Sequence, residues 1–240
     1  MGNNLTYLSL FSGAGGGDLA MQHLLGFNCK GYVEYEEYCQ KVLKQRQLDG
    51  LLSKAPIFGD IRGFVKKYAE CYKGMVDLIT GGFPCQAWST AAHGNWTAEH
   101  RWTEMLESIG IIQSKYVFAE NVDEDAIIQA QSDLTEIGYK TKRLMLSAKQ
   151  LGSDHIRRRW WLFADSNYKS KLGGEINAKM AIIKKRRESI WKTYPQKSRV
   201  DDGMAHRVDR LKAIGNGQVP IVAATAFKLL NGGGYGMGGK

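Results

Sequence analysis

The most reactive position in this chain is a cysteine set directly behind a proline. The run Val76-Asp-Leu-Ile-Thr-Gly-Gly-Phe-Pro-Cys85-Gln86 begins apolar and β-branched, then halts at Gly-Gly-x-Pro. That pattern predicts a buried strand over Val76–Thr80 with Cys85 just past its carboxyl end. Open α/β sheets place ligands and chemistry at that edge. Pro84 has a fixed φ and no N–H, so the thiol is expected on a stiff turn. Most free cysteines are small buried hydrophobes, but a core position needs neither the preceding Gly-Gly-x-Pro nor the polar Gln86 after it. A nucleophile is the favoured reading. Two further groups are expected nearby. Tyr116–Val122 reads as a strand carrying Glu120 near its end, and Arg157–Ala164 as a strand entered through three arginines beside Trp160 and Trp161. Such arginines suit an anionic or planar target, with plain surface charge as the alternative.

These groups need a sheet to hold them. Leu5–Phe11 predicts a first strand, apolar nearly throughout, as in strands covered on both faces. It runs into Ser12-Gly-Ala-Gly-Gly-Gly17 and a helix over Asp18–Leu25 stopped by Gly26. A strand, glycine turn and helix in sequence aim backbone N–H groups at a ligand bearing phosphate or carboxylate. The spacing is not the dinucleotide Gly-x-Gly-x-x-Gly, which argues against a nicotinamide enzyme. Lys30–Val33 predicts a second strand, and Glu34 at its tip stands where such folds hold ribose hydroxyls. Ile57–Ile61 predicts a third strand ending at Asp60, placed to accept from an exocyclic amine. Helices are expected over Glu37–Gln47, Trp102–Gln113, Asp125–Ile137 and Ile221–Leu230, and a strand over Thr141–Ser147. The fold class expected is α/β, a doubly wound and mostly parallel sheet. Ala87–Arg101 has no period, and a loop this long beside a candidate nucleophile is more often functional than not.

With 33 Lys and Arg against 24 Asp and Glu, the net charge of +9 suits a polyanionic partner. Four cysteines without a CxxC pair and five scattered histidines suggest neither a disulfide framework nor a metal site. That cysteine usage suits a reducing, cytoplasmic compartment; with no signal peptide or membrane-length apolar run, no membrane role is expected, and the expected state is a monomer. Residues 1–165 read as the main domain. Residues 166–206 carry ten cations against four acids and read as a small basic lobe. Residues 207–231 return to the main domain, and the glycine-rich 232–240 is expected to be disordered.

Taken together and in this order, the motifs resemble those of the DNA (cytosine-5)-methyltransferases. Phe11-Ser-Gly-Ala-Gly-Gly16 is similar to the family's S-adenosyl-L-methionine loop. The resemblance thus implies a Rossmann-like fold with cofactor contacts from Phe11, Ser12, Gly13, Ala14, Gly15 and Gly16. It adds Glu34 and Tyr35 at the ribose, Asp60 and Ile61 at the adenine, and Phe83, Pro84 and Asn216 around them. Gly82-Phe-Pro-Cys-Gln86 resembles the catalytic loop, Glu120-Asn121-Val122 the second catalytic motif, Arg157-x-Arg159 the arginine motif, and Ile214-Gly-Asn-Gly-Gln-Val-Pro220 the last motif. The implied chemistry is addition of the Cys85 thiolate to C6 of a flipped cytosine. Gln86 belongs to the same loop. Glu120 would act at N3, with Arg159 and, behind it, Arg157 holding O2 and the carboxylate. Duplex DNA is the implied partner, touched by Ser89, Arg101 and the run Lys184, Lys185, Arg186 and Arg187, in a restriction-modification setting. Three departures stand out. Ser9 occupies a position where many members carry an acid, Asp154-His155 replaces the usual Pro-Gln, and the target-recognition region is short. A tRNA cytosine methyltransferase and a non-catalytic binding relative are the alternatives.

Overall fold

The computed structural model describes residues 5–84, 101–166, 213 and 217–232. Seven strands form one sheet in the order β3-β2-β1-β4-β5-β7-β6. They are β1 (Thr6–Leu10), β2 (Asn28–Val33), β3 (Ile57–Phe58), β4 (Leu78–Gly82), β5 (Tyr116–Asn121), β6 (Lys140–Ser147) and β7 (Arg158–Asp165). The first five run parallel, and β7 is antiparallel to both of its neighbours. This is the mostly parallel α/β sheet expected from the sequence.

Alternation along the strands divides the core in two, because successive side chains of a strand point to opposite faces. Tyr7, Tyr32, Tyr116, Phe118, Trp161 and Phe163 pack on one face with Phe227 of the last helix, α6 (Pro220–Asn231). Leu8, Leu10, Ile79, Val117, Ala119 and Leu162 pack on the other. There they meet α3 (Ile61–Lys67), α4 (Trp102–Ile112) and α5 (Glu124–Glu136). β5 is buried along its whole length, which is why it reads as an apolar run. Pro220 opens α6 at the position where its missing N–H costs no helical bond.

Several boundaries differ from the sequence reading. The helix expected over Asp18–Leu25 is a short α-helix, α1 (Gly16–Leu19), that widens into a π-helical turn over Ala20–Leu24. Leu25 N–H reaches back five residues to Ala20 O at 3.0 Å, and Gly26 ends the turn with φ 78°. β4 starts two residues later than expected, because the Asp77 carboxylate accepts from Thr6 N and Oγ1, both at 2.8 Å, and fixes the start of the ladder. It then continues through Gly81 and Gly82. A Cβ on Gly81 would lie 2.5 Å from Leu10 O, and one on Gly82 would lie 2.6 Å from Glu120 Oε2, so neither place admits a side chain. The third strand is only two residues long. Asp60 lies beyond it as the N-cap of α3, its Oδ1 accepting from Arg62 N at 3.0 Å. Arg157 precedes β7 rather than opening it, in a left-handed conformation with φ 26°.

No helix among the described residues is long and apolar enough to cross a membrane.

Candidate active site

The strand order reverses at β1, which pairs with β2 on one side and β4 on the other. A doubly wound sheet opens a crevice at such a point, outside the carboxyl ends of its strands. The cleft found there is floored by Ser9, Thr80 and Gly81 and walled by the glycine turn, Asp18, Glu120 and Gln218.

The turn after β1 is built on positive φ at Phe11 (52°), Gly13 (56°) and Gly15 (79°). Phe11 is the unusual member, since a bulky residue is uncommon in this region. A Cβ added at Gly13 would meet nothing within 4 Å, so this part of the turn faces open space. Gly16 and Gly17 are crowded instead, because a Cβ on either would lie 2.2 Å from an oxygen of Gln218. Glu34, at the tip of β2, is buried and accepts from Gly13 N at 2.6 Å and Glu36 N at 2.8 Å. Burial raises its carboxyl above the usual range, and the two N–H groups only partly oppose this.

Of the other expected cofactor contacts, Tyr35 is 76% exposed beside Glu34, and Asp60 is exposed on its cap. The Ile61 side chain is buried in the core with Phe64 and Leu10.

Across the cleft, parallel pairing sets Gly82 of β4 against Glu120 of β5. The Glu120 side chain is buried, and its Oε1 lies 2.8 Å from Arg159 Nε. Its Oε2 accepts from Gln218 Nε2 at 3.3 Å. Burial raises the Glu120 carboxyl despite the opposing charges of Arg159 and Arg157. Arg157 does not join Arg159 on the carboxylate; its guanidinium donates to the carbonyl of Gly217. The arginine motif therefore holds the acid with one residue and the returning chain with the other.

Phe83 and Pro84 leave β4 from a clamped position. Asn121 Nδ2 donates to Phe83 O at 2.9 Å, and its Oδ1 accepts from Asp123 N at 2.9 Å. The Phe83 ring packs 5.1 Å from that of Trp102, whose Nε1 donates to Asp133 of α5 at 2.7 Å. Arg101, at the start of α4, pairs with Glu104 at 2.8 Å. Cys85, Gln86, Ser89, Lys184, Lys185, Arg186, Arg187 and Asn216 lie outside the described residues, as do the basic lobe beyond Ser166 and the tail beyond Gly232.

Three side chains not singled out from the sequence belong to this arrangement: Asn121, Gln218 and Asp18. Asn121 and Gln218 stood inside recognised motifs and could have been weighed as amides able to bond two backbones. Asp18 stood next to the glycine run and read as an ordinary first-turn acid.

The C-5 cytosine-specific DNA methylase family model matches residues 5–219. The chain belongs to that family. Among curated relatives, the type II methyltransferase M.CviJI of Paramecium bursaria Chlorella virus IL3A is 31% identical over 145 residues, covering 55% of the chain and 36% of the relative. The type II methyltransferase M.FnuDI of Fusobacterium nucleatum is 32% identical over 162 residues, covering 63% and 44%. The chain thus spans less than half the length of either. Among solved structures, the S. pombe Dnmt2 methyltransferase superposes with a TM-score of 0.56 at 19% identity, covering 70% of this chain and 52% of that one. The Entamoeba histolytica methyltransferase EhMeth gives 0.51 at 14% identity, covering 71% and 56%. Those likenesses, both below 25% identity, show the fold alone: an α/β sheet shared with these methyltransferases.

Proposed function

We propose that this methylase transfers a methyl group from S-adenosyl-L-methionine to C5 of a cytosine flipped out of duplex DNA, through a covalent Cys85 adduct at C6. The observation carrying this reading is the buried Glu120 carboxyl. It is gripped by Arg159 at 2.8 Å and lies beside the point where β4 hands the chain through Phe83-Pro84 to Cys85.

The chemistry follows from those groups. Carbon 5 of cytosine is a weak nucleophile until the Cys85 thiolate adds at C6. The charge that addition places on the ring is met at N3 by Glu120, which burial disposes to hold a proton. Arg159 fixes the carboxyl and is the group that meets the ring oxygen O2. The cofactor, when bound, supplies an electrophilic methyl on a sulfonium. Loss of the C5 proton to a base then expels Cys85 and restores the aromatic ring.

The cleft fits that cofactor. Gly13 faces open space, and the Glu34 carboxyl stands beside it, bonded to the glycine turn, at the expected ribose position. The segment 166–206 is the proposed duplex-reading region.

The test is trapping with duplex containing 5-fluorocytosine plus cofactor, because fluorine cannot leave as the proton does. Wild-type protein should give a species that survives denaturing electrophoresis, and Cys85→Ala should give none. No adduct on DNA, or an adduct formed on tRNA instead, would refute the reading.

A further inference from the structure

The mechanism leaves one buried acid of the cleft without a task. Asp18, in the first turn of α1, is 2% exposed and lines the cleft with Ser9. Its Oδ1 accepts from Tyr7 OH at 2.9 Å, and the neighbouring Ser9 side chain partly opposes the effect of burial on the carboxyl. Tyr7 is held in turn by Gln22 Nε2 at 2.9 Å, and the same amide nitrogen donates to Tyr32 OH at 3.0 Å. Gln22 Oε1 accepts from Ser53 N at 2.7 Å. The carboxylate therefore sits on a rigid polar platform beneath the glycine turn.

The titratable groups facing it are Tyr7 from β1, Cys29 and Tyr32 from β2, and Arg46 from α2 (Glu37–Leu48), whose charge opposes the effect of burial only weakly. Burial raises the carboxyl to about 6. An acid kept this deep is costly unless a cation or a full set of donors meets it.

We propose that Asp18 is the counter-charge for the ammonium of the cofactor's amino-acid end. The inference rests on the S-adenosylmethionine reading above and assigns the part of the cleft that reading left open. With the adenosine at Glu34 and Asp60 and the reacting methyl towards Glu120, the amino-acid end falls between them. That is the stretch of floor over β1 and α1 where Ser9 and Asp18 stand. The strand supplies a neutral hydroxyl to this floor, and the helix supplies the carboxylate.

The experiment is a cycle of ligand against residue, read by calorimetry on wild type and Asp18→Asn. The ligands are S-adenosylhomocysteine and its analogue in which hydrogen replaces the α-amino group, with S-adenosylmethionine and 5′-methylthioadenosine as references. A charged hydrogen bond lost should weaken S-adenosylmethionine and S-adenosylhomocysteine together by about 10- to 100-fold. The deaminated analogue and methylthioadenosine should bind both proteins alike. An equal loss for methylthioadenosine would make Asp18 a part of the scaffold and overturn the proposal. A loss confined to S-adenosylmethionine would point to the sulfonium and overturn it too. No loss for any ligand would do the same while leaving the cofactor reading intact. Wild type failing to bind S-adenosylmethionine at all would remove both. Should Asp18→Asn not fold, Asp18→Ser carries the same comparison.

Discussion

Asn121 is the cleanest place to ask whether the exit of β4 is held by design of the side chains or merely by the strand pairing. Its amide spans two backbones, donating to Phe83 O and accepting from Asp123 N, each at 2.9 Å, in a buried position. Asn121→Asp keeps shape and the acceptor but replaces the donor with a second oxygen. At pH 8 the Phe83 carbonyl then faces a carboxylate. The variant loses a hydrogen bond and gains a desolvated, unmatched charge, together worth about 2–4 kcal/mol. At about 2–4 °C per kcal/mol for a chain of this size, Tm should fall by roughly 4–16 °C. The new acid can recover a donor only by taking up a proton, so its folded-state pKa must lie above the unfolded one. A group shifted upwards contributes stability at low pH and loses it as pH rises through the folded value. The Tm deficit of Asn121→Asp should therefore shrink between pH 8 and pH 5, with single-turnover methylation recovering in parallel. A deficit that is constant or grows on acidification would refute the reasoning. So would a variant as stable as wild type at pH 8.

Two other substitutions probe the walls of the cleft. Gly16→Ala places a methyl 2.2 Å from the backbone oxygen of Gln218, which cannot swing aside; a loss of about 1–3 kcal/mol in urea unfolding is expected, with weaker cofactor binding, and an unchanged midpoint would contradict the packing. Glu120→Gln should slow single-turnover methylation by about 100-fold or more while leaving cofactor affinity nearly unchanged. Because burial raises Glu120, the stability difference between wild type and this variant should move against wild type as pH rises from 4 to 8, and a shift the other way would show that the Arg159 pairing dominates.

The parallel half of the sheet was legible because strands such as β1 and β5, covered on both faces, leave uninterrupted apolar runs. The direction of β7 was not, since antiparallel pairing is set by the path of the chain and leaves no mark in one strand's composition. The π-helical turn over Ala20–Leu24 escaped because five residues are too few to display a period other than 3.6. Asp60 was misplaced at a strand end, though Asp before a helix start is also the ordinary sign of an N-cap. Glu34 and Glu120 were found where acidic residues end apolar runs. Asn121 and Gln218 were passed over as functional because their partners lie 38 and 98 residues away. Only the folded register brings those atoms together.

Gln218 stands near the end of the described chain, yet its atoms fill the space that Gly16 and Gly17 leave open near the beginning. The wall of the cleft is thus made of segments about two hundred residues apart in synthesis, which at about 5–20 residues per second separates their emergence by roughly 10–40 s. During that interval the glycine turn can fold against β2 but lacks its covering strand of chain, and Glu120 lacks the amide that completes its contacts. A nascent chain on the ribosome would therefore own all seven described strands of its sheet before it owned a closed pocket. Closure of the cleft waits until Gln218 itself has emerged.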